Sequence, residues 1–316
     1  MSCKKPICAI LYDFDSTLAT TDMQNFGFIP RLGMTTAEFW EKTGEFSRKT
    51  GCEKILSYLF VMNQAAKEKG IHMTREFLAE CGKDIKFFPG VSTWFSRINQ
   101  YGEEHGINIE HYLVSSGNKE IVEGCSIAKE FKEIYGCEYL FDEQGNAIWP
   151  KYAINYTQKT QYFFRISKGV YDQTDDNSVN EKTVERRIPY SNMVYIGDGL
   201  TDVPSMIIVK SNGGKSIAVY PRGQEEKVGS LESDGRINYA CRELQETRRG
   251  ITEIAYDSGF EDSNYFSRTF RKFIGMTPRE YRLRNSLFTI RKTREHDLPS
   301  AAAQADSQSN AAIPQR

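Results

Sequence analysis

The chain has 316 residues, 39% of them hydrophobic and 26% charged, with a net charge of −1. That is the composition of a soluble globular protein, for which about two domains are expected. Seven cysteines lie scattered with no CxxC pair, and the four histidines show no metal-pair spacing, which excludes a disulfide framework and a zinc site. The N-terminal apolar run is too short for a signal peptide and no stretch is long enough to span a bilayer. A cytoplasmic location with reduced thiols is the expectation, and no membrane partner. The charge is uneven: residues 1–235 sum to −5, residues 236–284 to +3 and the remainder to +1. A mildly acidic body followed by a mildly basic segment suggests two modules.

Ile7–Tyr12 is a short apolar run ending in Asp13-Phe14-Asp15-Ser16-Thr17-Leu18. It reads as a buried strand. Side chains two apart on a strand point the same way, so Asp13 and Asp15 can face one point. Two carboxylates so placed repel unless a cation or a shared proton lies between them. The plainer alternative is an Asx-type turn closing the strand. Residues 19–86 follow with a helical pattern over Thr36–Lys42, Glu53–Lys69 and Thr74–Cys81, where Leu56, Leu59, Phe60 and Asn63 fall at helical spacing. The aromatics here (Phe26, Phe28, Phe39, Trp40, Phe46) read as packing.

Beyond Pro89-Gly90, a helix is predicted over Val91–Gln100 and a strand over His111–Val114, ended by Ser115-Ser116-Gly117. Lys119–Phe131 reads as a helix. Glu138–Asp142 and Ala147–Trp149 flank Gln144-Gly145-Asn146 as a hairpin. Thr157–Ser167 reads as a helix closed by Gly169, and Tyr171–Glu185 as a loop. Strands follow at Asn192–Ile196, ending in Gly197-Asp198-Gly199-Leu200-Thr201-Asp202, and at Ser216–Tyr220. Short apolar strands alternating with helices argue for a parallel α/β sheet covered on both faces. Ligands sit off the carboxyl ends of such strands, and Asp13/Asp15, Ser115 and Asp198/Asp202 all fall there.

These motifs in this order resemble the haloacid dehalogenase superfamily over about residues 7–235. The resemblance implies a Rossmann-like core (residues 1–18 and 87–235) with an inserted helical cap (19–86) that selects the substrate. It implies Asp13 as a nucleophile that forms an aspartyl-phosphate, and Asp15 as general acid and base. Mg²⁺ would be held by Asp13, the backbone carbonyl of Asp15 and Asp198, with Asp202 supporting them from behind. Ser115, with Ser116 as the alternative, would donate to a phosphoryl oxygen, and a lysine would balance the phosphoryl charge. Of two lysines, Lys159 opens a helix, where phosphates bind, while Lys168 sits at its C-terminal end and complements the dipole. Lys159 is therefore chosen. An acid two residues after the nucleophile implies a phosphatase or phosphomutase, and a closing cap favours a small phosphorylated metabolite.

Ile251–Arg282 resembles the second helix-turn-helix of AraC-type regulators, and Arg236–Thr247 resembles the linker helix before it. Ile254 and Ala255 would pack beneath Gly259-Phe260, and Phe266, Phe270 and Phe273 would form the apolar face of the second helix. Asn264, Arg268 and Arg271 fall on the other face, where DNA contacts are expected. Thr277-Pro278-Arg279-Glu280 is a capping box. The family's first helix-turn-helix is absent, so residues 236–288 are a partial unit expected to bind DNA weakly, and residues 289–316 read as a disordered tail. Similar chains of the haloacid dehalogenase superfamily would carry another strand and helix after Asp234–Asn238, so the sheet here is expected to be one strand short. The reading is a Mg²⁺-dependent phosphomonoester hydrolase. The alternatives are a DNA-binding regulator whose phosphatase-like half senses a phosphorylated ligand, and a fusion whose C-terminal segment only folds.

Overall fold

A computed structural model describes residues 5–182, 185–220, 243–258, 260 and 262–285. The chain divides into two units, Met1–Val228 and Gly229–Arg316. In the first, six strands form one sheet: β1 (Ile7–Tyr12), β2 (Asn108–Asn118), β3 (Glu133–Phe141), β4 (Ala147–Tyr152), β5 (Met193–Gly197) and β6 (Lys215–Ala218). Their order is β4-β3-β2-β1-β5-β6. Ala9, Ile10, Leu11 and Tyr12 of β1 are all buried, as a central strand covered on both faces requires. β1 pairs in parallel with β2 on one side and β5 on the other. The carboxyl ends of these three strands therefore open together at the point where the strand order reverses, the place where α/β sheets bind ligands.

The sheet is mixed rather than wholly parallel, because β3 and β4 form an antiparallel edge hairpin. Its turn is the predicted one. Gly145 has φ +80°, and the Asp142 carboxylate accepts the N–H groups of Gln144 and Asn146 at 3.0 and 2.7 Å. Three expectations need correcting. β2 runs through Ser115-Ser116-Gly117 to Asn118, with a register shift between Val114 and Asn118, so the polar triplet interrupts a strand rather than ending one. The helix expected over Lys119–Phe131 spans only Lys119–Glu123 (α6, counted below). It stops at Gly124, where a Cβ would lie 1.8 Å from the Ala79 carbonyl oxygen; the packing leaves room for glycine alone. Tyr171–Glu185 contains a one-turn helix, Asp176–Asn180, capped by the Asp175 carboxylate.

The helices in chain order are α1 (Phe28–Arg31), α2 (Thr36–Thr50), α3 (Lys54–Glu68), α4 (Arg75–Gly82), α5 (Val91–Glu104), α6 (Lys119–Glu123), α7 (Lys159–Lys168), α8 (Asp176–Asn180) and α9 (Val203–Ser211). The last was not marked in the sequence. α1 to α4 make residues 19–86 helical. A Thr35/Glu38 capping box opens α2 and Gly51, with φ +71°, closes it; both are local codes. The buried face of α3 is Tyr58, Leu59, Met62, Ala65 and Ala66. Leu56 and Phe60 instead remain 40% and 47% exposed, with the Phe60 ring stacked on Phe46 at 4.5 Å. Of the aromatics read as packing, Phe28 and Phe39 are buried.

The second unit is all-helical in its described part: residues 243–246, α10 (Ile251–Asp257), α11 (Ser263–Ile274) and α12 (Pro278–Asn285). Leu244, Ile254, Ala255, Phe260, Phe266 and Phe270 form its core, with Ile251, Ile274 and Tyr281 packed against it. Asp262 caps α11 by accepting the amides of Asn264 and Tyr265. Gly275, at φ +79°, ends it, and Thr277 and Glu280 exchange the predicted capping-box bonds. Arg249 pairs with Glu243 and with Glu253 and Asp257 of α10. Gly259, Glu261, Asp234–Arg242, the expected tail and the Phe273 side chain lie outside the described residues.

Candidate active site

The carboxyl end of β1 delivers Asp13 and Asp15. Asp13 is 6% exposed, and its amide donates to the Ile196 carbonyl of β5 at 2.9 Å, which locks its backbone to the neighbouring strand. The chain then turns sharply. Ser16 adopts φ +56°, the one positive φ outside glycine among the described residues, and such strain persists where the surroundings enforce it. Asp15 Oδ1 accepts the Met23 amide at 2.8 Å. From β2 come Ser115, Ser116 and Gly117. Ser115 is 1% exposed, and its Oγ accepts the Gly117 N–H at 3.0 Å. Ser116 is half-buried, and its carbonyl accepts the Tyr58 hydroxyl at 2.8 Å. Gly117 is closely packed: a Cβ there would lie 2.0 Å from Met23 Cε, at the end of a flexible side chain, and 3.1 Å from Asp15 Oδ2.

Lys159 is the first residue of α7. Its Nζ lies 2.8 Å from Asp13 Oδ1 and 2.9 Å from Asp202 Oδ1, with all three side chains buried. Lys168, at the other end of α7, donates to the backbone carbonyls of Val179, at 2.7 Å, and Glu181. That contact holds α8 in place and keeps Lys168 out of the site. From the loop after β5 come Asp198 and Asp202. Asp202 spends both carboxylate oxygens within the protein. Oδ1 takes Lys159 Nζ and the Tyr195 hydroxyl at 2.6 Å; Oδ2 takes the amides of Asp198 and Gly199 at 3.1 and 3.4 Å.

Carboxylate oxygens of Asp13, Asp198 and Asp202 lie within 4.8 Å of one another, and no second cluster of this kind occurs among the described residues. Because Asp202 is already satisfied by four donors, Asp13 and Asp198 are the side chains suited to a hard cation, which takes oxygen ligands. The electrostatics agree. Burial and the charge of Asp202 push the Asp13 carboxyl up to about 7, although Lys159 opposes this. Burial, then the charges of Asp22 and Asp13, hold Asp15 well above the usual carboxylate range against the Met23 amide. Burial would lower Lys159, yet Asp13 and Asp202 hold its ammonium above its ordinary value. Excess buried negative charge of this kind is what a cation offsets.

Beside Asp15 a cavity of about 500 Å³ opens beneath α2 and α3, lined by Asp22, Gln24, Trp40, Thr43, Tyr58 and Ser116 among others. The sequence singled out Trp40 only as packing, and gave no sign of Asp22, Gln24, Tyr58 or Tyr195. An apolar or polar residue inside a helical insert carries no local pattern that says it faces a site. The expected DNA-contact residues Asn264, Arg268 and Arg271 are exposed on α11, away from its buried Phe266 and Phe270.

The family model of haloacid dehalogenase-like hydrolases matches residues 10–206, and a helix-turn-helix domain model matches residues 233–284. An uncharacterised protein of Borreliella burgdorferi is 28% identical over 264 residues, covering 75% of this chain and 91% of that one. The RhaR transcriptional activator of Klebsiella pneumoniae is 52% identical over 50 residues, 16% of this chain and 18% of the activator; the chain thus spans less than a fifth of that regulator. A phosphoserine phosphatase, solved as a phospho-aspartyl intermediate analogue, superposes with a TM-score of 0.44 at 16% identity, covering 72% of this chain and 99% of that one. With its motifs converging at the ends of β1, β2 and β5 and the family model spanning most of the first unit, this chain belongs to the haloacid dehalogenase-like hydrolases and carries an AraC-type helix-turn-helix segment behind them.

Proposed function

We propose that the chain is a Mg²⁺-dependent phosphomonoester hydrolase acting on a small phosphorylated metabolite. The observation that carries this reading is the buried Lys159 ammonium held between Asp13 and Asp202, with Asp198 beside them. It supports Asp13 as the nucleophile, a carboxylate beside a fixed positive charge. Asp13 attacks phosphorus, the ester P–O bond breaks, and an aspartyl-phosphate forms. Asp15, kept protonated by its burial and its acidic neighbours, gives its proton to the departing oxygen. As a carboxylate it then takes a proton from the water that displaces Asp13 from phosphorus. Lys159 balances charge on the phosphoryl oxygens. Ser115 donates to one of them, its Oγ oriented by the Gly117 N–H that it accepts. Asp13, the Asp15 carbonyl and Asp198 would hold Mg²⁺, which supplies charge neutralisation between two anions. Asp202 fixes Lys159 and the Asp198 backbone. Residues 19–86 act as the cap over this site.

The test is phosphate release from a panel of phosphorylated metabolites. Wild type should be active with Mg²⁺, silent with chelator, and active again when Mg²⁺ returns; Asp13→Asn should release none. Metal-independent turnover, or an Asp13→Asn variant retaining a tenth of the rate, would count against the site. The exposed Asn264, Arg268 and Arg271 on α11 favour a second role in DNA binding. At a segment charge of +3 few phosphates are neutralised, so non-specific dissociation constants of roughly 10⁻⁴–10⁻⁶ M are expected at physiological salt.

A further inference from the structure

The cavity beside Asp15 contains an unsatisfied group. Gln24 is 2% exposed, lines the cavity, and has a side-chain Oε1 with no hydrogen-bond partner. A buried polar atom without a partner is costly, and proteins keep few of them. The unpaired atom defines the kind of partner that is missing. Asp22, Asp15, Arg48 and Lys54 share the wall, and burial holds the Asp22 carboxyl above its usual range although the Asn25 side-chain N–H opposes this. Both signs of charge are therefore present in the lining, and the unpaired Gln24 Oε1, an acceptor, calls for a hydrogen-bond donor. The nearby Tyr58 hydroxyl is already given to the Ser116 carbonyl, and Trp40 Nε1 to Asn25 Oδ1, so neither protein donor is left for Gln24.

We infer that Gln24 is a specificity-determining residue. It reads a hydrogen-bond donor, hydroxyl or ammonium, on the leaving group of the phosphate ester. The preferred substrates are phosphate monoesters of small alcohols that carry such a donor within a few bonds of the ester oxygen. This rests on the hydrolase reading above and deepens it. A site built to hydrogen-bond a substrate group discriminates strongly against an analogue that lacks it, because the buried partner is then left unpaired.

The experiment compares kcat/KM for three esters of similar size: glycerol 1-phosphate (hydroxyl), ethanolamine phosphate (ammonium) and n-propyl phosphate (no donor). Wild type should favour at least one donor-bearing ester over n-propyl phosphate by tenfold or more. The better of the two identifies the donor. Gln24→Met keeps the length of the side chain and removes its polar atoms, so that preference should fall about 10–100-fold. The variant should melt no lower than wild type, since it removes an unsatisfied buried atom rather than a bond. A wild-type preference near unity overturns the inference without any variant, while leaving the hydrolase reading intact. So does an unchanged preference in Gln24→Met. A marked loss of melting temperature would make Gln24 structural. Release of phosphate from none of the esters, nor from the wider metabolite panel, with Mg²⁺ present takes both readings down.

Discussion

Replacing Lys159 by methionine isolates the electrostatic centre of the site. The wild-type ammonium is 2% exposed and lies within 3 Å of two carboxylates that are themselves 8% and 0% exposed. Methionine fills similar space but leaves Asp13 and Asp202 facing each other without a cation. Removing one partner of a buried pair typically costs about 3–5 kcal/mol, because the remaining charge is stranded. The Tyr195 hydroxyl and the amides of Asp198 and Gly199 still hold Asp202, which favours the lower half of that range. For a unit of this size each kcal/mol moves the melting temperature by about 2–4 °C, so the N-terminal transition should fall by roughly 6–16 °C in chelator. Added Mg²⁺ should recover more stability in Lys159→Met than it adds to wild type, since a cation at Asp13 and Asp198 relieves the same repulsion. The assay is differential scanning calorimetry of full-length protein with chelator and with excess Mg²⁺. A variant that melts with wild type in chelator would show that Lys159 does not hold the carboxylates. An equal Mg²⁺ increment in both proteins would show that the cation binds elsewhere.

Asp15→Asn should lose turnover by about 10²–10⁴-fold while phosphate-analogue affinity changes little, because its backbone carbonyl stays; a defect confined to affinity would make Asp15 structural. His111 accepts the Tyr12 hydroxyl at Nδ1 and faces Asn99 Oδ1 at Nε2, both at 2.9 Å, and burial lowers its pKa to about 4. A depressed imidazole stabilises the fold fully above pH 6.5, and that contribution, roughly 3 kcal/mol, is lost as pH falls from 6.5 to about 4. Its ring resonances should titrate near pH 4, and a midpoint near 6.5 would refute the buried neutral form. Arg268→Ala should weaken full-length binding to random duplex only a few-fold and reduce its salt slope by about one; fluorescence anisotropy would reveal instead any nanomolar, sequence-selective complex, which would favour the regulator.

Much of this arrangement was legible because it is local. Asp13, Asp198 and Lys159 each sit directly at the end of a strand or the start of a helix, and the runs before them are apolar enough to declare the element. Gly169 likewise marks the end of α7, where its φ is +77°, and Thr277 with Glu280 marks a helix start. Errors arose where neighbours decide. Lys119–Phe131 has helical periodicity, yet the helix ends at Glu123, and Gly124 is held against the Ala79 backbone where no side chain fits. Leu56 and Phe60 are as apolar as Leu59 but face outward, because α3 turns its small Ala65 and Ala66 inward.

The sequence by itself determined which chemistry the chain carries: the order of acidic, hydroxyl and basic residues at strand and helix ends, and the change of character near residue 236. Those signals survive in one dimension because capping, turn formation and strand burial act over a few residues. Only the tertiary structure decided which charges meet and which are already spent. Lys159 and Asp13 are 146 positions apart in the chain and 2.8 Å apart in space, Lys168 is diverted to backbone carbonyls, and Asp202 is used up by four donors. Gln24 became conspicuous only when Tyr58 and Trp40 beside it could be seen to be engaged elsewhere, since an unsatisfied atom is a property of its surroundings and not of its residue type.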